Sequence, residues 1–200
     1  VQGKSAAPVK RPNLIMVTSS LPGEGKTFVS VNLALSIALE LDTRVLLIEA
    51  DSSRPATMAR LGIPAGRGLL DLLATPELPM SDVLLRTNID RLSILPVGTL
   101  SGQATELLAS TAMQRLLTEL SERYADRVVV FDAPPLLPTP EARALAEQMG
   151  QIVMVVEAGR TAQGTVGQAL DMLEKCPVVM TVLNKSRGVN AGSNFSYYAY

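Results

Sequence analysis

The apolar run LIMVTS (Leu14–Ser19) passes through Ser20-Leu21-Pro22-Gly23-Glu24-Gly25-Lys26-Thr27 straight into a second apolar stretch, Thr27–Leu41, made of helix formers. Few folds accommodate a strand, a glycine-rich turn and a helix in that order with so little between them. Such a turn lets backbone amides point inward around phosphate oxygens, and the positive end of the helix dipole adds to them. On this reading Lys26 reaches the β/γ-phosphates of a nucleotide and the Thr27 hydroxyl takes one Mg2+ position. The pattern departs once, with Ser20 in the place of the usual first glycine.

The remainder of the chain alternates short apolar runs with segments of helical period. Strands are predicted at Val45–Glu49, Leu92–Val97, Arg127–Phe131, Ile152–Glu157 and Pro177–Leu183. Helical pieces are predicted at Leu69–Ala74, Met80–Arg86, Thr111–Arg123, Pro140–Met149 and Thr165–Glu174, and a proline-marked loop follows Glu49. Several strands are apolar at every position, as strands covered on both faces are. The expectation is an α/β fold with a doubly wound, mostly parallel sheet.

Two carboxylate motifs fit the same edge of such a sheet. Arg127–Phe131 runs into Asp132-Ala133-Pro134-Pro135, and an aspartate at the C-terminal end of a buried strand suits a phosphate-bridging magnesium. Val45–Ile48 leads into Glu49-Ala50-Asp51, with Arg54-Pro55 close behind. A spacing of two places Glu49 and Asp51 on one side of an extended segment, so both are expected to face one site.

Composition narrows the chemistry. The 200 residues contain no His, no Trp and one Cys. A Ser–His–Asp hydrolase, a His-ligated metal and a disulfide or zinc framework are therefore excluded. A net charge of −1, with no run of Lys or Arg, gives no sign of a nucleic-acid partner. Without a long apolar stretch, no direct membrane insertion is expected and the cytoplasm is the default compartment. Of four tyrosines, Tyr197, Tyr198 and Tyr200 crowd the terminus, inside a Gly-, Ser- and Asn-rich stretch beginning at Ser186.

In this order and spacing the motifs resemble the bacterial tyrosine kinases of capsule and exopolysaccharide synthesis, most nearly the exosortase-linked autokinases. VTSSLPGEGKT resembles their Walker A, VLLIEADSSRP their Walker A′ and VVVFDAPP their Walker B. ATELLAS (Ala104–Ser110), VVEAGRT (Val155–Thr161), VLNK (Val182–Lys185) and the tyrosine-bearing end complete the likeness.

The resemblance implies a P-loop NTPase of the partition-ATPase-like type. It implies ATP held by Ser20, Pro22, Gly23, Glu24, Gly25, Lys26 and Thr27, with Asn184 at the adenine. It implies Mg2+ on Thr27, Asp51 and Asp132, and catalysis by Lys26, Glu49, Asp51 and Asp132. A kinase domain over residues 1–187 would carry a flexible tail, 188–200, whose Tyr197, Tyr198 and Tyr200 are phosphorylated by a neighbouring copy in a homo-oligomer. A membrane-anchored polysaccharide co-polymerase is the implied activator, holding the kinase at the inner face of the membrane. Glu49 and Ser53 depart from the family's Asp and Arg, and residues 1–12 lack the Glu- and Arg-bearing helix of ring-forming relatives. The longer acid predicts reduced or altered transfer, because a catalytic group must lie about 2.6–3.2 Å from its proton. The alternative is a nucleotide switch or scaffold like the partition ATPases, but those carry an early P-loop lysine where this chain has Leu21. Tyr124 and Cys176 are expected to be structural.

Overall fold

The apolar strands order themselves into one seven-stranded sheet. The computed structural model describes residues 9–64 and 66–186, so the terminal tyrosines lie outside the described residues. Along the chain run β1 (Leu14–Ser19), α1 (Lys26–Ala38), β2 (Arg44–Glu49), α2 (Thr57–Arg60), α3 (Leu69–Ala74) and a 3-10 turn at Met80–Asp82. These are followed by β3 (Leu85–Arg86), β4 (Leu92–Leu95), α4 (Ala104–Leu108), α5 (Thr111–Glu122) and β5 (Arg127–Asp132). The chain then forms α6 (Pro140–Ala146), β6 (Gln151–Glu157), α7 (Gln163–Asp171) and β7 (Val179–Asn184).

The strand order is β3-β4-β2-β5-β1-β6-β7. Every pairing is parallel except that of β3 with β4. The doubly wound expectation holds: alternate residues of the central strands feed two cores. Leu46, Ile48, Val129 and Phe131 face one core with α3, α5 and α6, while Val45, Leu47 and Val130 face the other with α1. The sheet-facing stripe of α1 is Lys26, Ser30, Ala34 and Ala38. Small side chains there let the helix lie close on the strands, which keeps its N-terminus at the sheet's C-terminal edge. Ser110 starts α5 by accepting a hydrogen bond from the Met113 amide at 3.2 Å, and Pro140 opens α6 with its preset φ.

Three elements differ from expectation. Met80–Arg86 is not one helical piece but a 3-10 turn and the strand β3, because Leu85 and Arg86 pair with the open edge of β4. The loop after Glu49 contains α2, one short turn of helix. The last strand is not covered on both faces: Met180, Val182 and Leu183 of β7 are exposed. Tyr124 is half-buried beneath the Arg127 guanidinium, 4.7 Å from its ring centroid, and Cys176 is half-buried against the Ala146 carbonyl. No helix among the described residues is long and apolar enough to cross a membrane.

Candidate active site

The C-terminal ends of β1, β2 and β5 converge where the strand order reverses, the place at which open α/β sheets bind ligands. Between β1 and α1 the chain turns through Gly23 and Gly25, with φ of 90° and 103°. These left-handed values favour glycine, and at Gly25 a Cβ would also collide with the Asn184 side-chain nitrogen. A cavity of about 350 Å³ opens over this turn, lined by Gly23, Lys26, Thr27, Asp51, Arg54 and Arg60 among others. A wider groove of about 1310 Å³ lies at the opposite end of the strands, beside Arg11, Arg115 and Lys175, and is lined by none of the P-loop residues nor by Glu49, Asp51 or Asp132.

Lys26 and Asp51 form an ion pair of 3.1 Å, with side chains only 8% and 4% exposed. Asp51 Oδ1 also accepts from the Ser53 hydroxyl at 2.6 Å and the Arg54 amide at 3.2 Å. Asp132, at the end of β5, accepts from the Thr57 hydroxyl through Oδ2 at 2.8 Å. Its other oxygen, Oδ1, is buried without a hydrogen-bond partner. Burial pushes the Asp132 carboxyl above its ordinary range, opposed by the Thr57 and Thr27 hydroxyls and by the Lys26 charge. An unpartnered buried carboxylate oxygen is costly, so such an atom marks a place for a ligand. Among the described residues no three His, Cys, Asp or Glu side chains form a metal cage. Magnesium binds through one or two protein groups together with phosphates and water. The Thr27 hydroxyl and Asp132 Oδ1 provide groups of that kind.

Not all predicted residues face the cavity. Glu49 turns away: its Oε1 accepts from the Thr57 amide at 2.7 Å and its Oε2 from the Val97 amide at 3.3 Å. The two-residue spacing argument stops at Glu49 because the chain leaves the pleat there. The amides of Ala50 and Asp51 both donate to the Asp132 carbonyl, at 2.8 and 3.1 Å. That is a turn rather than strand alternation, and it sends the two acids in different directions.

The Glu24 side chain also serves the loop. Its carboxylate accepts from the amides of Leu21 (2.7 Å) and Glu157 (3.3 Å) and from the Thr161 hydroxyl. Asn184, the last residue of β7, donates to the Glu24 carbonyl at 2.9 Å, which places it beside the P-loop. Ser20 Oγ is buried and has no partner, while Pro22 lines the cavity. Sequence reasoning missed Thr57 and Arg60. No periodicity or motif marked either of them within a loop announced by Pro55.

The family model described as "AAA domain" matches residues 13–185. Tyrosine-protein kinase YwqD of Bacillus subtilis is 29% identical over 185 residues, covering 92% of this chain and 76% of that protein. Succinoglycan biosynthesis transport protein ExoP of Rhizobium meliloti is 36% identical over 86% of this chain, which spans only 22% of ExoP. The kinase domain of VpsO superposes with a TM-score of 0.76 and 32% identity, covering 85% of this chain and 84% of that domain. Motif order, sheet topology and these likenesses agree, and the chain belongs to the bacterial tyrosine kinases built on an AAA domain.

Proposed function

We propose that this chain is an ATP-dependent protein-tyrosine autokinase that phosphorylates Tyr197, Tyr198 and Tyr200 of a neighbouring copy. The observation that carries the reading is the buried convergence of Lys26, Asp51 and Asp132 under the P-loop, with Asp132 Oδ1 left open. Phosphoryl transfer asks chiefly for positioning and charge neutralisation, which a histidine-free site can supply.

Residues 20–27 cradle the phosphates through backbone amides, and Asn184 stands at the far wall of the loop for the base. Lys26 exchanges its bond to Asp51 for phosphate oxygens. Thr27 and Asp132 would hold Mg2+, which neutralises charge between the β- and γ-phosphates when bound. As Lys26 moves, Asp51 is freed to accept the phenolic proton. The γ-phosphorus bond to the departing ADP oxygen breaks while that to the tyrosine oxygen forms. Glu49, with both oxygens on backbone amides, supports the site instead of touching the acceptor.

The domain is proposed to span 1–187 and the tyrosine-bearing tail 188–200. Service in exopolysaccharide synthesis or export, at the cytoplasmic face and under a membrane-anchored co-polymerase partner, is proposed from the resemblance and from ExoP's name. A second reading, a nucleotide switch with weak or no transfer, is favoured by one observation: the acid expected to assist the acceptor is turned away.

Incubation with Mg-ATP followed by mass mapping of phosphate decides between them. Phosphotyrosine at the three terminal positions, lost in a folded Lys26→Met variant, supports the kinase. Nucleotide binding with no phosphotyrosine supports the switch.

A further inference from the structure

Glu49 and Asp132 are register partners on the neighbouring parallel strands β2 and β5. Two carboxylates are thus buried side by side, each 1% exposed. Like charges so placed repel strongly in a low-dielectric interior unless a donor lies between them. Thr57, fully buried at the start of α2, is that donor. Its amide gives a hydrogen to Glu49 Oε1 at 2.7 Å and its hydroxyl gives one to Asp132 Oδ2 at 2.8 Å. One residue therefore satisfies one oxygen of each acid. Glu49 Oε2 is held in turn by the Val97 amide at 3.3 Å, which anchors the arrangement to the segment after β4.

We propose that Thr57 is a positioning residue for the magnesium-nucleotide site, clamped by Glu49 and acting through Asp132. A carboxylate with one oxygen pinned keeps little torsional freedom. Fixing Oδ2 therefore fixes Oδ1, the oxygen that is buried without a partner. The inference rests on the reading of Asp132 as a magnesium-side group. It also gives Glu49 a different meaning. The extra methylene lets the acid reach the amides of both Thr57 and Val97, so glutamate here serves a support role instead of standing as a displaced catalytic acid. Neither Thr57 nor this use of Glu49 follows from the P-loop motif.

The test is equilibrium binding of a fluorescent ADP analogue by anisotropy, with saturating Mg2+ and with EDTA, alongside thermal unfolding. Thr57→Val keeps the shape and the amide but removes the hydroxyl donor. It is expected to weaken binding about tenfold in Mg2+, the scale of one hydrogen bond to a charged group, and less than about twofold in EDTA. Thr57→Ser restores the donor and is expected to bind like the parent. Glu49→Gln, which must offer an amide group to one of the two backbone donors, is expected to show the same magnesium-specific loss more weakly. Parent-like binding by Thr57→Val, equal losses with and without Mg2+, or no rescue by serine would overturn the clamp. If Thr57→Val does not fold, Glu49→Gln decides by the same criterion. If the parent chain gains nothing from Mg2+, the magnesium-nucleotide reading itself fails, and that result is separate from any difference between variants.

Discussion

The P-loop is held from two sides, and the two sides are built differently. Toward β2 and β5, the ionisable side chains of Lys26, Asp51 and Asp132 are buried beside the neutral Thr57, and Asp132 Oδ1 is left without a partner. Toward β6 and β7, Glu24, Thr161, Asn184 and Lys185 form a bracket in which the Glu24 carboxylate, the Asn184 amide nitrogen and the Lys185 ammonium are each bonded. Lys185 Nζ donates to the Gly23 carbonyl at 2.6 Å and pairs with Glu157 at 3.0 Å, within reach of solvent. Saturated polar groups make a scaffold, and an unsaturated buried one leaves a place for a reactant. On the proposed function, the loop is therefore shaped from one side and used from the other.

That distinction can be broken, starting where the effect is largest. Lys26→Met removes the cation facing the phosphates and is expected to lower transfer at least about 100-fold. It also leaves Asp51 buried and unpaired, a cost of about 3–5 kcal/mol, so unfolding must be measured beside activity. Glu24→Ala strikes the scaffold instead. A stability loss of about 1–3 kcal/mol and a raised KM for ATP are expected, with kcat within about threefold of the parent. A collapse of kcat in Glu24→Ala would erase the difference between the two sides.

Asp132→Asn separates stability from function. Burial holds the native carboxyl's pKa above that of the unfolded chain. Ionised Asp132 therefore costs stability, growing as pH rises from the unfolded value to the native one and constant above it. The asparagine variant is expected to melt higher than the parent at neutral pH, with the gap closing in acid, while its affinity for Mg-nucleotide falls. Parallel melting curves at all pH values would contradict this.

The smallest effect belongs to Lys185→Ala. Lys185 holds the half-buried Glu157 carboxyl below its ordinary range, so its contribution is present above the unfolded pKa and lost as pH falls through the native one. The variant should lie within about 2 °C of the parent in Tm, and added salt should shrink the difference.

What was legible in the sequence was local. Leu14–Ser19 and Leu69–Ala74 match their elements end to end, because short, mainly apolar segments beside glycine-marked turns signal their own conformations. The Gly23–Gly25 turn was legible in the same way, and Asp132 and Asp51 stand at and just past the strand ends where the sequence put them. The direction of Glu49 was not legible, because it is set by amides 8 and 48 residues further along the chain. Thr57 was hidden for the same reason, since its hydroxyl's partner lies 75 residues away. Nor could β3 be seen, as two residues become a strand only when β4 offers an open edge. Spacing rules hold while the backbone stays regular, and this site begins where regularity ends.

The order of the strands has a consequence for how the molecule is made. β1 precedes both of its sheet neighbours in the chain yet lies between β5 and β6, pairing Leu14 with Val129 and Ile15 with Gln151. A ribosome delivers the P-loop long before either neighbour of β1 exists. The nascent chain thus carries an apolar strand with two open edges until β5 emerges, and with one open edge until the region near Glu157 emerges. Such long-range parallel pairing is slow to form and prone to wrong partners. Nucleotide binding should therefore be among the last properties the chain acquires, and a pulse of fluorescent nucleotide would time the closing of the sheet.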